Sequence, residues 1–278
     1  MAERILLIDA DVYAYKAAAA LETAIDWGDN YWTWHCDANE VQKRVLSMVE
    51  ETMDNLDADD FRLCLTDNDT NWRLDVLPTY KGNRATTKRP LVLRHIKQWL
   101  LDEHDALIRP RLEGDDILGI FATWDAIKGE KIIVSLDKDM KTIPGLYCRD
   151  ALTNKPEVMD ISPEEAAKWH LKQTLSGDTT DGYTGCPGIG VDRAAKIIEN
   201  GIMKVPFEHT LKRGPRKGET EIRYEETETD DLWAAVVSHY EAAGQTEQDA
   251  LVQARVARIL HRSDYDMKKK EPILWTPS

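Results

Sequence analysis

Along the first 140 residues, short apolar runs alternate with stretches of helical periodicity. Ile5 to Ile8 form the first run, closed by the carboxylate of Asp9, and YAYKAAAALETAI after it has the composition of a helix. Asp37 and Glu40 set a capping-box pattern ahead of VQKRVLSMVEETM, where Val41, Val45, Met48, Val49 and Met53 recur along one helical face. A second strand is predicted from Phe61 to Leu65, ending in the acidic turn TDNDTN. The breakers in LDVLPTYKGNR predict a loop that presents Tyr80, Lys81 and Arg84 outward, and a helix is predicted over 90–102 with Pro90 in its first turn. ALIR, residues 106–109, reads as a short strand and Lys131 to Leu136 as another; between them Ile117, Ile120, Phe121 and Trp124 form the buried stripe of a helix opening near Glu113. Strands alternating with helices predict an α/β fold with a mainly parallel sheet.

In such folds the carboxyl ends of the strands face one side, where sites form. Asp9, Asp67, Asp137 and Asp139 all fall at that edge. The stretch RLEGDDILG adds Glu113, Asp115 and Asp116 at a helix start, where acids are also favoured simply by the helix dipole. Carboxylates converging from distant segments repel one another unless a cation sits among them, and hard oxygen ligands of this kind suit Mg²⁺. Asp11 is expected to cap the Ala-rich helix, with a ligand role as the other option.

Beyond Asp150, two short strand-like pieces lead to a second capping box at Ser162 and Glu165 and a helix ending at Gly177. Asp178 and Asp181 follow in a turn, then the Gly-rich hairpin GCPGIG (Gly185 to Gly190) and a helix from about Val191 stopped by Asn200 and Gly201. Such a hairpin can point backbone N–H groups at a phosphate beside a helix N-terminus. After Pro206 the chain is polar and charged, with helical patterns in DLWAAVVSHYEAAG and EQDALVQARVARIL, and the terminal EPILWTPS is expected to dock back on the body.

The 278 residues carry 36 Lys and Arg against 50 Asp and Glu, a net charge of −14 that ordinarily discourages binding to phosphate backbones. Distribution changes the picture: between Pro78 and Lys97 stand Lys81, Arg84, Lys88, Arg89, Arg94 and Lys97 with no acid, and LKRGPRKG forms a second basic cluster at 211–218. Each could be a solvated face; each could equally attract DNA that the rest of the surface repels. Cys36, Cys64, Cys148 and Cys186 lack ligand spacing and are expected to be buried free thiols. The absence of long apolar runs and of a signal-peptide pattern at the start leads us to expect a cytosolic chain without membrane spans.

YKGNR (Tyr80 to Arg84), LEGDD (Leu112 to Asp116), SLDKD (Ser135 to Asp139), GDTTDG (Gly177 to Gly182) and the GCPGIG hairpin together resemble the structure-specific 5′ nuclease family of flap endonucleases and 5′→3′ exonucleases, and within it the gene-6-type exonucleases of short-tailed lytic phages. The resemblance implies a Rossmann-like (PIN-like) nuclease core over 1–161, a helix-hairpin-helix-type (three-helix) DNA-binding module over 162–204, and a C-terminal helical extension packed on the core over 205–278. It implies two divalent ions, Mg²⁺ or Mn²⁺, the first among Asp9, Asp67, Glu113, Asp115 and Asp116 and the second among Asp137, Asp139, Asp178 and Asp181, with a monovalent cation at the hairpin. Lys81 and Arg84 match the basic pair that engages the scissile phosphate, and Tyr80 the aromatic that stacks near the terminal nucleotide; Lys88, Arg89, Gly185, Gly188, Ile189 and Gly190 complete the implied DNA contacts. The implied reaction is release of 5′-phosphorylated nucleotides from duplex DNA at 5′ ends, nicks, gaps or flaps, with RNA/DNA hybrids in range, by a monomer in the cytoplasm of an infected bacterial host. Two rivals are weighed beside it. A haloacid-dehalogenase-type phosphatase, with Asp9 as nucleophile, leaves Glu113, Asp115, Asp116 and the YKGNR segment unexplained, and a nonenzymatic DNA-binding protein leaves all nine core acids unexplained.

Overall fold

The computed structural model describes residues 3–84 and 87–277. In chain order its elements are β1 (Arg4–Asp9), α1 (Ala10–Leu21), β2 (Thr23–Asp26), β3 (Trp32–His35), α2 (Ala38–Leu56), β4 (Asp60–Cys64), α3 (Arg73–Val76), α4 (Leu93–Glu103), α5 (Gly114–Ala122), β5 (Glu130–Val134), β6 (Gly145–Cys148), β7 (Val158–Ile161), α6 (Pro163–Ser176), α7 (Val191–Asn200), β8 (Ile202–Thr210), β9 (Thr220–Glu228), α8 (Leu232–Ala242), α9 (Glu247–Ala257), β10 (Tyr265–Asp266) and β11 (Glu271–Pro272). The chain divides into two compact units, one of residues 1–72, 86–166 and 259–273, the other of 73–85, 167–258 and 274–278. Among the described residues no helix is long and apolar enough to cross a membrane.

The first unit is an α/β layer structure on a five-stranded sheet of order β4-β1-β5-β6-β7, parallel except for the last pairing. Its central strands are apolar on both faces, as parallel strands covered by helices must be: Leu6, Ile8, Leu63, Ile132 and Val134 pack with Ala14 and Ala17 of α1, Val45 and Met48 of α2, and Ile96 and Leu100 of α4. Small alanines let α1 lie close to the sheet. Three sequence expectations shift here. The first helix stops at Leu21, and β2 and β3 form an antiparallel hairpin where helix had been expected to run on. ALIR is reduced to a single bridge between Leu107 and Cys64. Pro90 precedes the helix, its carbonyl accepting from Leu93 N, because α4 begins only at Leu93.

The second unit is built on α6 to α9. Leu171 and Leu175 of α6, Ile197 and Ile198 of α7, Val236 and Tyr240 of α8 and Ala250 of α9 share one core. Trp275 packs against this core, edge-on to His170 and Trp233, so the terminal segment docks back on its unit. The β8–β9 hairpin follows α7 directly through Gly201 and was not expected from the sequence. Neither nine-residue strand buries a face: β8 is half-buried over its first four residues and mostly exposed after them, and β9 is almost wholly exposed, so neither IMKVPFEHT nor TEIRYEETE shows the regular alternation that marks a strand packed on a core.

Candidate active site

In the first unit, parallel register sets the carboxyl ends of three adjacent strands side by side: Asp9 pairs with Cys64, and Ile8 with Val134. Asp67 therefore follows the end of β4 and Asp137 the end of β5, at the edge where β1 delivers Asp9. Asp9 is buried, accepting from Val12 N at 3.2 Å as the N-cap of α1 and from the Ser135 hydroxyl at 2.7 Å. Capping thus falls to Asp9, and Asp11, expected in that role, instead accepts from Thr66 N at 2.8 Å and pairs with Lys97 Nζ at 2.6 Å. Lys97 is the positive charge set among these acids, and it also donates to Asn68 Oδ1 at 3.0 Å. Sequence reasoning counted Lys97 only as part of a basic stretch; its place depends on α4 packing against α1.

Burial first, then the charges of Asp11 and Asp137, push the Asp9 carboxyl from 3.8 up to about 7. Burial also raises the Cys64 thiol beneath, helped by Asp9, Asp11 and Asp115 in turn, which marks the same crowding of acids from three segments. The start of α5 lies against the end of β4, where Gly114 N donates to Thr66 Oγ1 at 2.9 Å; a Cβ on Gly114 would sit 3.4 Å from Asp11 Oδ2. Glu113, buried, is its N-cap and Asp115 stands in its first turn. Asp137 accepts from Asp139 N at 2.8 Å and its own N–H donates to Ser135 Oγ, which links it to Asp9 through that hydroxyl.

Two predicted ligands are otherwise engaged. Asp116 is fully buried; its Oδ2 accepts from Trp72 Nε1 at 3.0 Å and Glu113 N at 3.2 Å, and its Oδ1 from Leu260 N at 3.2 Å. Asp67 accepts from Arg111 N, Asp69 N and Thr70 Oγ1. Burial acts to raise the Asp67 carboxyl, but these hydrogen bonds outweigh it and hold the group below the usual carboxylate range. As the side chains stand, no three carboxylate, imidazole or thiolate groups among the described residues are close enough together to hold one ion. The donors still fit a hard divalent cation, since Asp9 offers a buried carboxylate whose pKa is raised by burial and then by its acidic neighbours, a cost that a cation would relieve.

The second unit brings together the YKGNR segment and the GDTTDG turn. Lys81, at φ +53°, donates its backbone N–H to Asp181 O at 2.8 Å, and its Nζ lies 3.6 Å from Asp181 Oδ2. Arg84 pairs with Asp181 Oδ1, and Asn83 Nδ2 donates to Thr179 O at 2.9 Å. Tyr80 departs from expectation. It is buried rather than presented outward, with its hydroxyl donating to Asp181 Oδ2 at 3.0 Å and its ring beneath Lys81 Nζ at 5.1 Å, so as it stands it positions the turn and its face is not open to a base. Asp178 Oδ1 accepts from Thr180 N and Asp181 N and closes the turn.

The Gly-rich hairpin follows in the same unit. Gly185 (φ +66°) and Gly177 (φ +65°) cross so closely that a Cβ on Gly185 would lie 2.2 Å from Gly177 N, which only glycine permits. Not every amide of the hairpin is open, however: Gly185 N donates to Gln253 Oε1 and Ile189 N to Cys186 O, while the Ile189 side chain is buried in the unit's core. Gly188 and Gly190, with open space at the Cβ position, are the backbone positions left facing outward at the start of α7. Of the other basic residues, Lys88 belongs to the first unit, paired with Glu22 and 4.2 Å above the Trp34 ring, and Arg89 is exposed beside it.

Residues 4–160 match the family model described as the 5′-3′ exonuclease N-terminal resolvase-like domain. The chain is 34% identical to the exodeoxyribonuclease of Enterobacteria phage T3 and 32% identical to the exonuclease of Escherichia phage T7, in each case over 98% of this chain and 93% of the relative. Among solved structures it is similar to the phage T5 D15 protein co-crystallised with metal ions and to the T5 5′-exonuclease with bound zinc, each with a TM-score of 0.52 at 16% identity, covering 71% of this chain and 74% and 75% of those chains. At that identity the structural likeness speaks for the fold, a PIN-like core with a mainly parallel sheet. With the matched model covering more than half of its length and phage relatives aligned almost end to end, the chain belongs to the 5′→3′ exonuclease family.

Proposed function

We propose that the chain is a divalent-metal-dependent 5′→3′ exodeoxyribonuclease that releases 5′-phosphorylated nucleotides from duplex DNA at ends, nicks and gaps. The observation that carries the reading is the edge of the parallel sheet where buried Asp9 is crowded by Asp11 and Asp137, and where Asp9, Asp11 and Asp115 together bear on Cys64, in a chain aligned almost end to end with two phage exonucleases. Metal-bound structures of the T5 relatives support the choice of a divalent cation. Asp9, Glu113, Asp115, Asp137 and Asp139 would hold Mg²⁺ or Mn²⁺, with Asp67 and Asp116 placing the backbone around them and Asp178 and Asp181 as the acids of the second group. Bound ions would lower the pKa of a water and stabilise charge on the leaving 3′ oxygen.

The chain's own part is electrostatic. Lys81 and Arg84 are held together on Asp181, and an incoming phosphate, carrying the same charge as that carboxylate, competes for both cations. Once engaged they offset charge that grows on the phosphate during displacement. Flaps and the RNA strand of hybrids fall within the same reading as substrates, and the setting we infer is DNA breakdown or replication in a phage-infected cell.

Duplexes labelled separately at the 5′ and 3′ ends test it. In Mg²⁺ the 5′ label is expected first, as a nucleotide, and excess EDTA is expected to stop release. Early loss of the 3′ label, or full activity in EDTA, would overturn the proposal.

A further inference from the structure

The β8–β9 hairpin has no part in the site above, yet its charge is sorted along its length. Leu211 to Gly218 carries Lys212, Arg213, Arg216 and Lys217 with no acid, in a chain of net charge −14, whereas the strand β9 that returns from this turn is rich in glutamate. The ladder continues past the strands through Leu211 N to Glu219 O and Gly218 N to Leu211 O, both 2.9 Å, so the four cations sit on a defined turn. Every residue from 212 to 218 is exposed. Arg216 is turned back onto Glu219 and Glu221, at 2.7 and 3.6 Å, while Lys212, Arg213 and Lys217 make no ion pair among the described residues.

Geometry fits a nucleic-acid duplex. Nine residues per strand give a ribbon of about 30 Å, and its outer half leaves Phe207, Ile222 and Tyr224 exposed. Two-stranded ribbons are marginal in water on their own and are among the elements that enter a duplex groove. The ribbon also leaves the C-terminal end of α7, the helix whose N-terminal end carries Gly188 and Gly190.

We propose that the tip of this ribbon is a second duplex-DNA contact, gripping the phosphate backbone through Lys212, Arg213 and Lys217. It rests on the reading of duplex DNA as substrate. Its contacts are to phosphate, so they carry no base preference.

The test measures affinity for a labelled duplex of roughly 30 base pairs in EDTA across a salt series, for wild type and for the triple variant Lys212→Ala, Arg213→Ala, Lys217→Ala. Removing three phosphate contacts is expected to weaken binding by at least about tenfold near 0.1 M salt and to flatten the slope of log K against log salt by about 2.7. A charge-retaining control, Lys212→Arg, Arg213→Lys and Lys217→Arg, is expected to keep both affinity and slope, and single-turnover cleavage at saturating protein should be unchanged in either variant. Unaltered affinity and slope in the folded alanine variant, equal losses in the charge-retaining one, or no duplex binding by wild type would overturn the assignment. Wild type that binds duplex but releases no 5′ label in Mg²⁺ would instead sink the nuclease reading, and the affinity comparison would still decide the ribbon.

Discussion

Asp116 offers the sharpest separation between a ligand and an anchor. Its side chain is fully buried and receives hydrogen bonds from Glu113 N at the N-cap of its own helix and from Trp72 Nε1 and Leu260 N, the last two of which tie the start of α5 to segments far away in sequence. Asp116→Ala strands all three donors in a site closed to water. A buried donor left without its acceptor costs about 1–3 kcal/mol, and such losses do not simply add, so about 3–5 kcal/mol in total is expected. Asp116→Asn should cost less, about 1–3 kcal/mol, because one amide oxygen still accepts while the amide nitrogen faces donors. Urea unfolding in EDTA gives the answer without any contribution from bound ions. If Asp116→Ala unfolds at the wild-type midpoint in EDTA, and loses stability only relative to wild type with Mg²⁺, then Asp116 is a ligand and the anchoring role is refuted.

Other outcomes follow from the same geometry. Asp9, raised from 3.8 to about 7, favours its protonated form in the folded chain; that stabilisation is complete below 3.8 and is lost as pH rises through about 7, so above pH 7 the metal-free chain bears a cost of about 2–4 kcal/mol. Asp9→Asn should therefore raise stability in EDTA at pH 8 and make little difference near pH 4 while abolishing cleavage, and a variant less stable than wild type at pH 8 would contradict this. Asp181→Asn keeps an acceptor for Tyr80 but releases charge from Lys81 and Arg84, so duplex affinity in EDTA should tighten by about 3- to 10-fold as Mg²⁺-dependent cleavage falls; weaker binding by the folded variant would mean that the turn itself serves the contact. His239 is held below its usual range, by burial first and then by Lys204 and Arg193, so its neutral form is favoured in the folded chain and stability present above pH 6.5 is lost as pH falls. His239→Gln should flatten that acid-side loss in urea midpoints between pH 7.5 and 5, and an unchanged profile would remove this group from it.

Backbone architecture was legible because burial imposes it on sequence. Leu6, Ile8, Leu63, Ile132 and Val134 must be apolar wherever a parallel strand lies between helices, and Val45 and Met48 must recur at helical spacing to cover it. Elements that bury little left no such imprint. Trp32 to His35 is exposed along most of a hairpin whose pairing depends on its turn, and β9 carries charge on both faces. For the same reason the sequence pattern carries the helix after Asp9 too far: nothing in ETAI marks Leu21 as the last helical residue, whereas in the fold Glu22 leaves the helix to receive Lys88 and Leu91 N.

At the site, sequence placed the acids on the correct strand ends but not the hydrogen bonds that sort them. Any carboxylate at a strand end can cap, pair or ligate, and which it does depends on donors brought from elsewhere. Val12 N sits three residues past Asp9, so Asp9 caps; Thr66 arrives from the turn after β4 and Lys97 from α4, so Asp11 pairs; Trp72 and Leu260 converge from 44 and 144 residues away, so Asp116 turns inward. Local spacing can reveal the first of these contacts and none of the others. The same reasoning applies to YKGNR, whose cations were read as free to meet a phosphate. They are instead stored on Asp181, a carboxylate about 100 residues away, and the competition between that carboxylate and a substrate phosphate becomes a property of the fold that a motif cannot express.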